Sequence, residues 1–137
     1  MKCAMELMMT SIVKAKENEE NEKERRLKEL KKIYDDTIAY CNTLGNELEN
    51  LANKGQKPET SFYLDLYNST ILTPTRNDYA DGRLSYREGN KIDLDILIEW
   101  FSKFCFSVEK NKISYWRYWS GCKFGLKITI FPTPDCF

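Results

Sequence analysis

The chain has 137 residues, 42% of them hydrophobic and 31% charged, and its 21 basic and 21 acidic side chains leave no net charge at pH 7. That length fits one domain with a helical extension, and the composition excludes a disordered polymer. Zero net charge excludes an overall acidic nucleic-acid mimic and a generally basic nucleic-acid binder, although residues 101–137, with six basic and two acidic side chains, leave room for a local basic patch.

The first thirteen residues are apolar, with Met1, Met5, Met8 and Met9 close together. Glu6 interrupts the run and no small-residue cleavage pattern follows it. The segment therefore reads as a frayed helix end, or a start codon set upstream of the true one, rather than a signal peptide. Residues 11–54 read as one long helix in two unlike halves. Over residues 14–26 no apolar face survives after Ala15, and acid-before-base pairs recur four apart: Glu19 with Lys23, Glu22 with Arg26, Glu24 with Lys28. Each such pair adds about 0.2–0.5 kcal/mol to a solvated helix. From Leu27 a heptad seam takes over through Leu30, Tyr34, Thr37, Cys41, Leu44, Leu48 and Leu51, the spacing of a coiled coil. Ile33, Ile38, Tyr40 and Ala52 widen it into a broad apolar face suited to covering a sheet. Apolar flanks, Gly45 and the weak coil-core residues Thr37 and Cys41 favour packing within one chain, hence a monomer, with a dimer left open.

The helix should stop at Asn53–Lys54 with Gly55 as its left-handed cap. Residues 55–60, with Pro58, form a linker. Phe62, Leu64 and Leu66 alternate with Tyr63, Asp65 and Tyr67 as a half-buried strand. Asn68–Ser69 is a turn, and residues 70–73 return as a short strand ended by Pro74. Residues 75–82 read as loop, and residues 83–87 as a short strand before Glu88-Gly89-Asn90. Asp93 is a good N-cap for a second helix, whose buried face is Leu94, Leu97, Ile98, Phe101 and then Phe104 or Cys105. Three strands complete the chain: Phe106 and Val108; then, past a turn at residues 109–112, residues 113–119; then Phe124, Leu126, Ile128 and Ile130 in clean alternation. No stretch approaches membrane-spanning length, so no membrane association is expected.

The order predicts an α+β fold. A long N-terminal helix and a short second helix lie on one face of an antiparallel sheet that ends in a three-strand meander. The organisation is a helix over residues 1–54, its N-terminal half a solvated arm and its C-terminal half packed, followed by an α+β domain over residues 55–137.

The candidate binding residues lie in the run Ser114-Tyr115-Trp116-Arg117-Tyr118-Trp119, with Lys110, Lys112, Lys123 and Lys127 near it. A strand places Tyr115, Arg117 and Trp119 on one face and Trp116 and Tyr118 on the other, and only one face is expected to be core. Aromatics with Arg serve protein interfaces as hot spots and single-stranded nucleic acid as stacking platforms. They also stabilise hairpins by pairing across strands. All three readings stay open for Tyr115, Trp116, Arg117, Tyr118, Trp119, Lys123 and Lys127.

Catalytic chemistry finds little footing. Histidine is absent, which removes the commonest general base and zinc ligand. The cysteines Cys3, Cys41, Cys105, Cys122 and Cys136 are odd in number with no C-x-x-C pair, and read as reduced thiols of a cytoplasmic protein. Asp95 and Glu99 read as a solvated helix start, and Asp78 and Asp81 as turn formers beside Glu88. No glycine-rich phosphate loop is present. No enzyme activity, catalytic residue, metal or cofactor is expected.

In short length, Lys/Asn/Tyr bias, charged leading helix and the terminal run SYWRYWSGCKFGLKITI, the chain resembles small accessory proteins of phages and mobile elements of AT-rich bacteria. Among these it is similar in character to anti-CRISPR proteins, a class defined by activity rather than shared sequence. The resemblance implies a non-enzymatic protein that binds a host protein, such as a CRISPR effector nuclease, and inhibits it by steric or conformational block. The alternatives are a single-stranded nucleic-acid-binding accessory module and a structural protein that oligomerises through its helix.

Overall fold

Helix α1 (Ala4–Asn53) opens the chain in the computed structural model, which describes residues 1–75, 85–117 and 121–136. Strands β1 (Thr60–Asp65), β2 (Thr70–Thr75) and β3 (Ser85–Lys91) follow, then α2 (Leu94–Ser102), the long strands β4 (Phe106–Arg117) and β5 (Gly121–Pro132), and a closing 3-10 turn. The fold is α+β, with one five-stranded antiparallel sheet in the order β3-β2-β1-β5-β4. Among the described residues no helix is long and apolar enough to cross a membrane.

The chain divides into two compact units, Met1–Lys32 and Ile33–Phe137. The cut falls inside α1, where the side chains change their surroundings, and not at the helix end. In the first unit every residue is exposed, and of the three expected ion pairs only that between Glu22 and Arg26 is closed, at 3.7 Å. Leu27 and Leu30 stay exposed here, and in the second unit Tyr34 is also exposed. The packed part of the seam therefore begins at Thr37, ten residues later than its spacing predicts. Heptad periodicity records which residues share a face, not where a neighbour begins.

In the second unit Thr37, Cys41, Leu44 and Leu48 are buried in one core with Phe62, Leu64, Ile92, Leu97, Phe101, Ile128 and Ile130. Both helices cover the sheet face that carries Phe62, opposite Ile128, and Ile130, opposite Val108. Burial pushes the Cys41 thiol up to about 11, which keeps it protonated and unreactive. Helix α1 ends as expected. Gly55 takes φ +74°, its N–H reaches Ala52 O at 3.0 Å, and Gln56 N–H reaches Leu51 O at 2.9 Å, the paired bonds of a Schellman cap. Asp93 caps α2 by accepting from the N–H groups of Asp95 and Ile96.

Four expectations change. The final meander is a two-strand hairpin, because residues 109–112 are strand and stay paired with residues 126–129 of β5. They contain no Gly or Pro to break the ladder, and β4 is an edge strand, where charged side chains remain in water. Likewise β2 runs on through Pro74, which pairs with Tyr86 beyond the last β1–β2 pair, so the missing N–H costs no central ladder bond. Strand β3 includes Glu88-Gly89-Asn90, expected to follow it. Lastly, Phe104 and Cys105 are exposed rather than on the buried face of α2. The helix ends at Ser102 and Cys105 turns the chain with φ +60°.

Thr37 links the helices. Its hydroxyl donates to Ile33 O at 2.6 Å and accepts the Asp93 N–H at 2.9 Å. Thr37→Val keeps the shape but leaves the Asp93 N–H unpartnered, and is expected to cost ~1–3 kcal/mol in urea unfolding. Thr37→Ser, which retains the hydroxyl, should cost less. Equal losses for the two would place the energy in the methyl group instead.

Candidate functional site

Two surfaces of the second unit combine shape with chemistry. The first lies between α1 and α2. Gly45 leaves room for the Trp100 ring, since a Cβ there would stand 3.4 Å from Trp100 Cη2. Trp100 meets Phe101 edge-on at 4.8 Å between ring centres and lies 4.9 Å from Phe104. These rings, with Leu48, Ala52 and Phe106, line an open groove of about 400 Å³ edged by Asn42, Asn46 and Glu49. That volume lies in the range of ligand and side-chain pockets. Phe104 is 59% exposed and lies past the end of α2 at Ser102, where its N–H turns back to Phe101 O at 3.0 Å.

The second surface is the sheet face turned away from the helices. Tyr86 on one edge strand meets Tyr115 on the other at 5.3 Å, and Tyr63 at 5.9 Å. The sheet thus curls until its edges approach, and the tyrosines close over Asp65. Tyr115 Oη donates to Asp65 Oδ2 at 2.7 Å, while Asp65 Oδ1 accepts from the N–H groups of Tyr67 (2.8 Å) and Asn68 (3.0 Å). Burial works against ionisation of Asp65. The Tyr115 hydroxyl, the Asn68 and Tyr67 N–H groups and the Lys123 charge outweigh it and hold the carboxyl below the ordinary carboxylate range. Burial, with Tyr63 adding to it, raises the Tyr86 hydroxyl. Gly125 is required beneath this cluster, since a Cβ would stand 2.7 Å from Leu64 O and 3.3 Å from Tyr115 Cε1.

The predicted binding residues separate. Tyr115 is 7% exposed and bonded to Asp65, so it is withdrawn from the expected surface and serves the fold. Lys123, half-buried, acts on the same carboxylate, and Lys127, also half-buried, pairs in register with Tyr63. Trp116 and Arg117 close β4, paired with Cys122 and Gly121, while Tyr118 and Trp119 lie outside the described residues, as do Asp78 and Asp81. The lysines do not form one patch. Lys110 and Lys112 pair with Ile128 and Leu126 on the helix-bearing face, and Lys123 pairs with Tyr115 on the other. Phe124, which alternates in phase with Leu126, Ile128 and Ile130, is 52% exposed, and its carbonyl accepts the N–H of exposed Leu66.

Sequence reading missed Asp65, Trp100 and Phe104. Asp65 did carry a signal: an Asp three residues before the Asn68–Ser69 turn is placed to accept the turn's N–H groups. Among the described residues no cluster of three or more His, Cys, Asp or Glu could hold a metal ion. Set against known proteins, the chain matches no family model, no curated protein and no solved structure.

The Asp65 geometry has a pH signature. A carboxyl whose pKa is depressed by folding contributes stability above its unfolded pKa, near ~3.9, and loses that contribution as pH falls through the folded value. Tyr115→Phe removes one hydrogen bond to the ionised form and should cost ~1.5–3 kcal/mol at pH 7. The gap between wild type and variant should narrow below about pH 4, where the carboxylate is protonated in the unfolded chain. Denaturant titrations at both pH values check this, and a gap independent of pH would show that the hydroxyl does not act through the charge.

Proposed function

We propose that this is a non-enzymatic, cytoplasmic protein-binding protein that seats a partner's apolar side chains in the groove of Gly45, Trp100 and Phe104. The observation that carries the reading is the exposure of Phe104 beside an aromatic-walled groove, since a large apolar side chain held at an open pocket is the anatomy of an interface anchor. A chain without histidine supports a binding role over a hydrolytic one. The resemblance to phage and mobile-element accessory proteins extends the proposal to the partner, a host defence nuclease such as a CRISPR effector, inhibited by steric or conformational block. The nucleic-acid alternative loses support, because Lys110 and Lys112 lie on the sheet face opposite Lys123.

The test is nuclease inhibition by purified protein against a panel of CRISPR effectors, with Phe104→Asp and Phe124→Asp compared. Wild type should suppress cleavage of target DNA. Phe104→Asp, altered at an exposed site, should fold normally and weaken the complex about 30-fold, the equivalent of ~2 kcal/mol. Loss with Phe124→Asp alone would move the interface to the hairpin. If no effector is inhibited, and binding to single-stranded DNA falls steeply with salt, the nucleic-acid module replaces this reading.

A further inference from the structure

The first unit carries a face that nothing in it covers. Met5, Met9, Ile12, Lys16, Glu20, Lys23, Leu27 and Leu30 follow one another at steps of three and four and so share one side of α1. The apolar members Met5, Met9, Ile12, Leu27 and Leu30 are each more than half exposed. The stripe is apolar at both ends and charged in the middle. The expectation of a monomer rested on the apolar flanks, Gly45, Thr37 and Cys41, which concern the C-terminal part of the seam, whereas Leu27 and Leu30 lie outside the core.

We propose that this stripe is the self-association surface of the chain, and that its residues 11–32 pair antiparallel with the same residues of a second copy, Met5 and Met9 lying beyond the paired stretch. Charge decides both the occupant and the direction. In a parallel pair each central residue meets its own kind, Glu20 against Glu20 and Lys23 against Lys23, and the flanks oppose Glu19 to Glu24 and Arg26 to Lys31, like charges throughout. In an antiparallel pair with its two-fold axis between residues 21 and 22, Glu20 of each copy faces Lys23 of the other. Along one flank Glu19 meets Arg26. The other flank sets Glu17 against Glu24, the single repulsive contact repeated by symmetry. The same register lays Val13 of one copy beside Leu30 of the other, and the Lys16 stem along Leu27, where its methylenes cover the leucine while the ammonium stays in water. Residues 17–22 thereby lie along residues 21–26 of the other copy, which bring Lys23, Arg25 and Arg26 to the acidic run Glu17, Glu19 and Glu20.

Sedimentation equilibrium of the full chain, across protein concentration and at low and high salt, tests this. Wild type should dimerise reversibly, more weakly as salt screens the central pairs. Glu20→Lys and Lys23→Glu should each weaken the dimer by about tenfold or more. The double variant, in which the pair is restored with its signs exchanged, should return to within about threefold of wild type. Both residues are exposed, so circular dichroism should show helix content unchanged at saturating protein. A chain that stays monomeric at every concentration overturns the proposal, whether or not lipid vesicles bind it. A dimer indifferent to all three variants overturns it too, since that is the behaviour of pairing elsewhere.

Discussion

The second unit depends on four side chains of one helix. Thr37, Cys41, Leu44 and Leu48 are all but inaccessible, and they meet the sheet through Phe62, Leu64, Ile128 and Ile130. Burying each leucine contributes about 1.5–3 kcal/mol, but the stripe also fixes position. Thr37 accepts the N–H of Asp93 and so sets where α2 begins. Gly45, one turn from Cys41, makes the space into which Trp100 of α2 fits. Glu47 accepts the hydroxyl of Thr60 at 2.9 Å and holds the first residue of β1. A heptad seam designed only for another helix would not need a threonine and a glycine at these places. Both residues are weak in a coil and required here.

What the sequence disclosed follows from how local each signal is. Gly55, Asp93 and the alternation of Leu126, Ile128 and Ile130 were legible because a cap or a strand phase is decided within a few residues. The start of the packed seam was not, since Leu27 and Leu44 look alike along the chain and differ only in whether a sheet lies opposite. The continuity of β4 through residues 109–112 was hidden for a related reason. A polar run reads as a turn, yet on an edge strand it is also what keeps the ladder from pairing further. The groove was half legible. Gly45 announced a close neighbour, but Trp100 and Phe104 could be assigned to it only once α2 was seen to stop at Ser102 and the backbone to turn at Cys105.

The aromatic run shows why counting sheet faces failed. The expectation allowed one face to be core and required the other to be exposed. Strand β4 instead serves two interiors with its alternation unbroken. Phe106 and Val108 lie against the helix-side core. Farther along, on the opposite face, Tyr115 is enclosed by Tyr86 and Asp65, because the sheet curls enough for β3 to approach β4. Tyr115 is therefore buried on the face with no helix. Register and burial together show where an aromatic of this hairpin stays open to solvent. Phe124 is opposite Ser114 on the helix-bearing face, beyond the buried positions of that face, and Leu66 is bonded to its carbonyl. Neither interior reaches that place, so exposure there follows from the ends of two cores rather than from a surplus of apolar residues in the sequence.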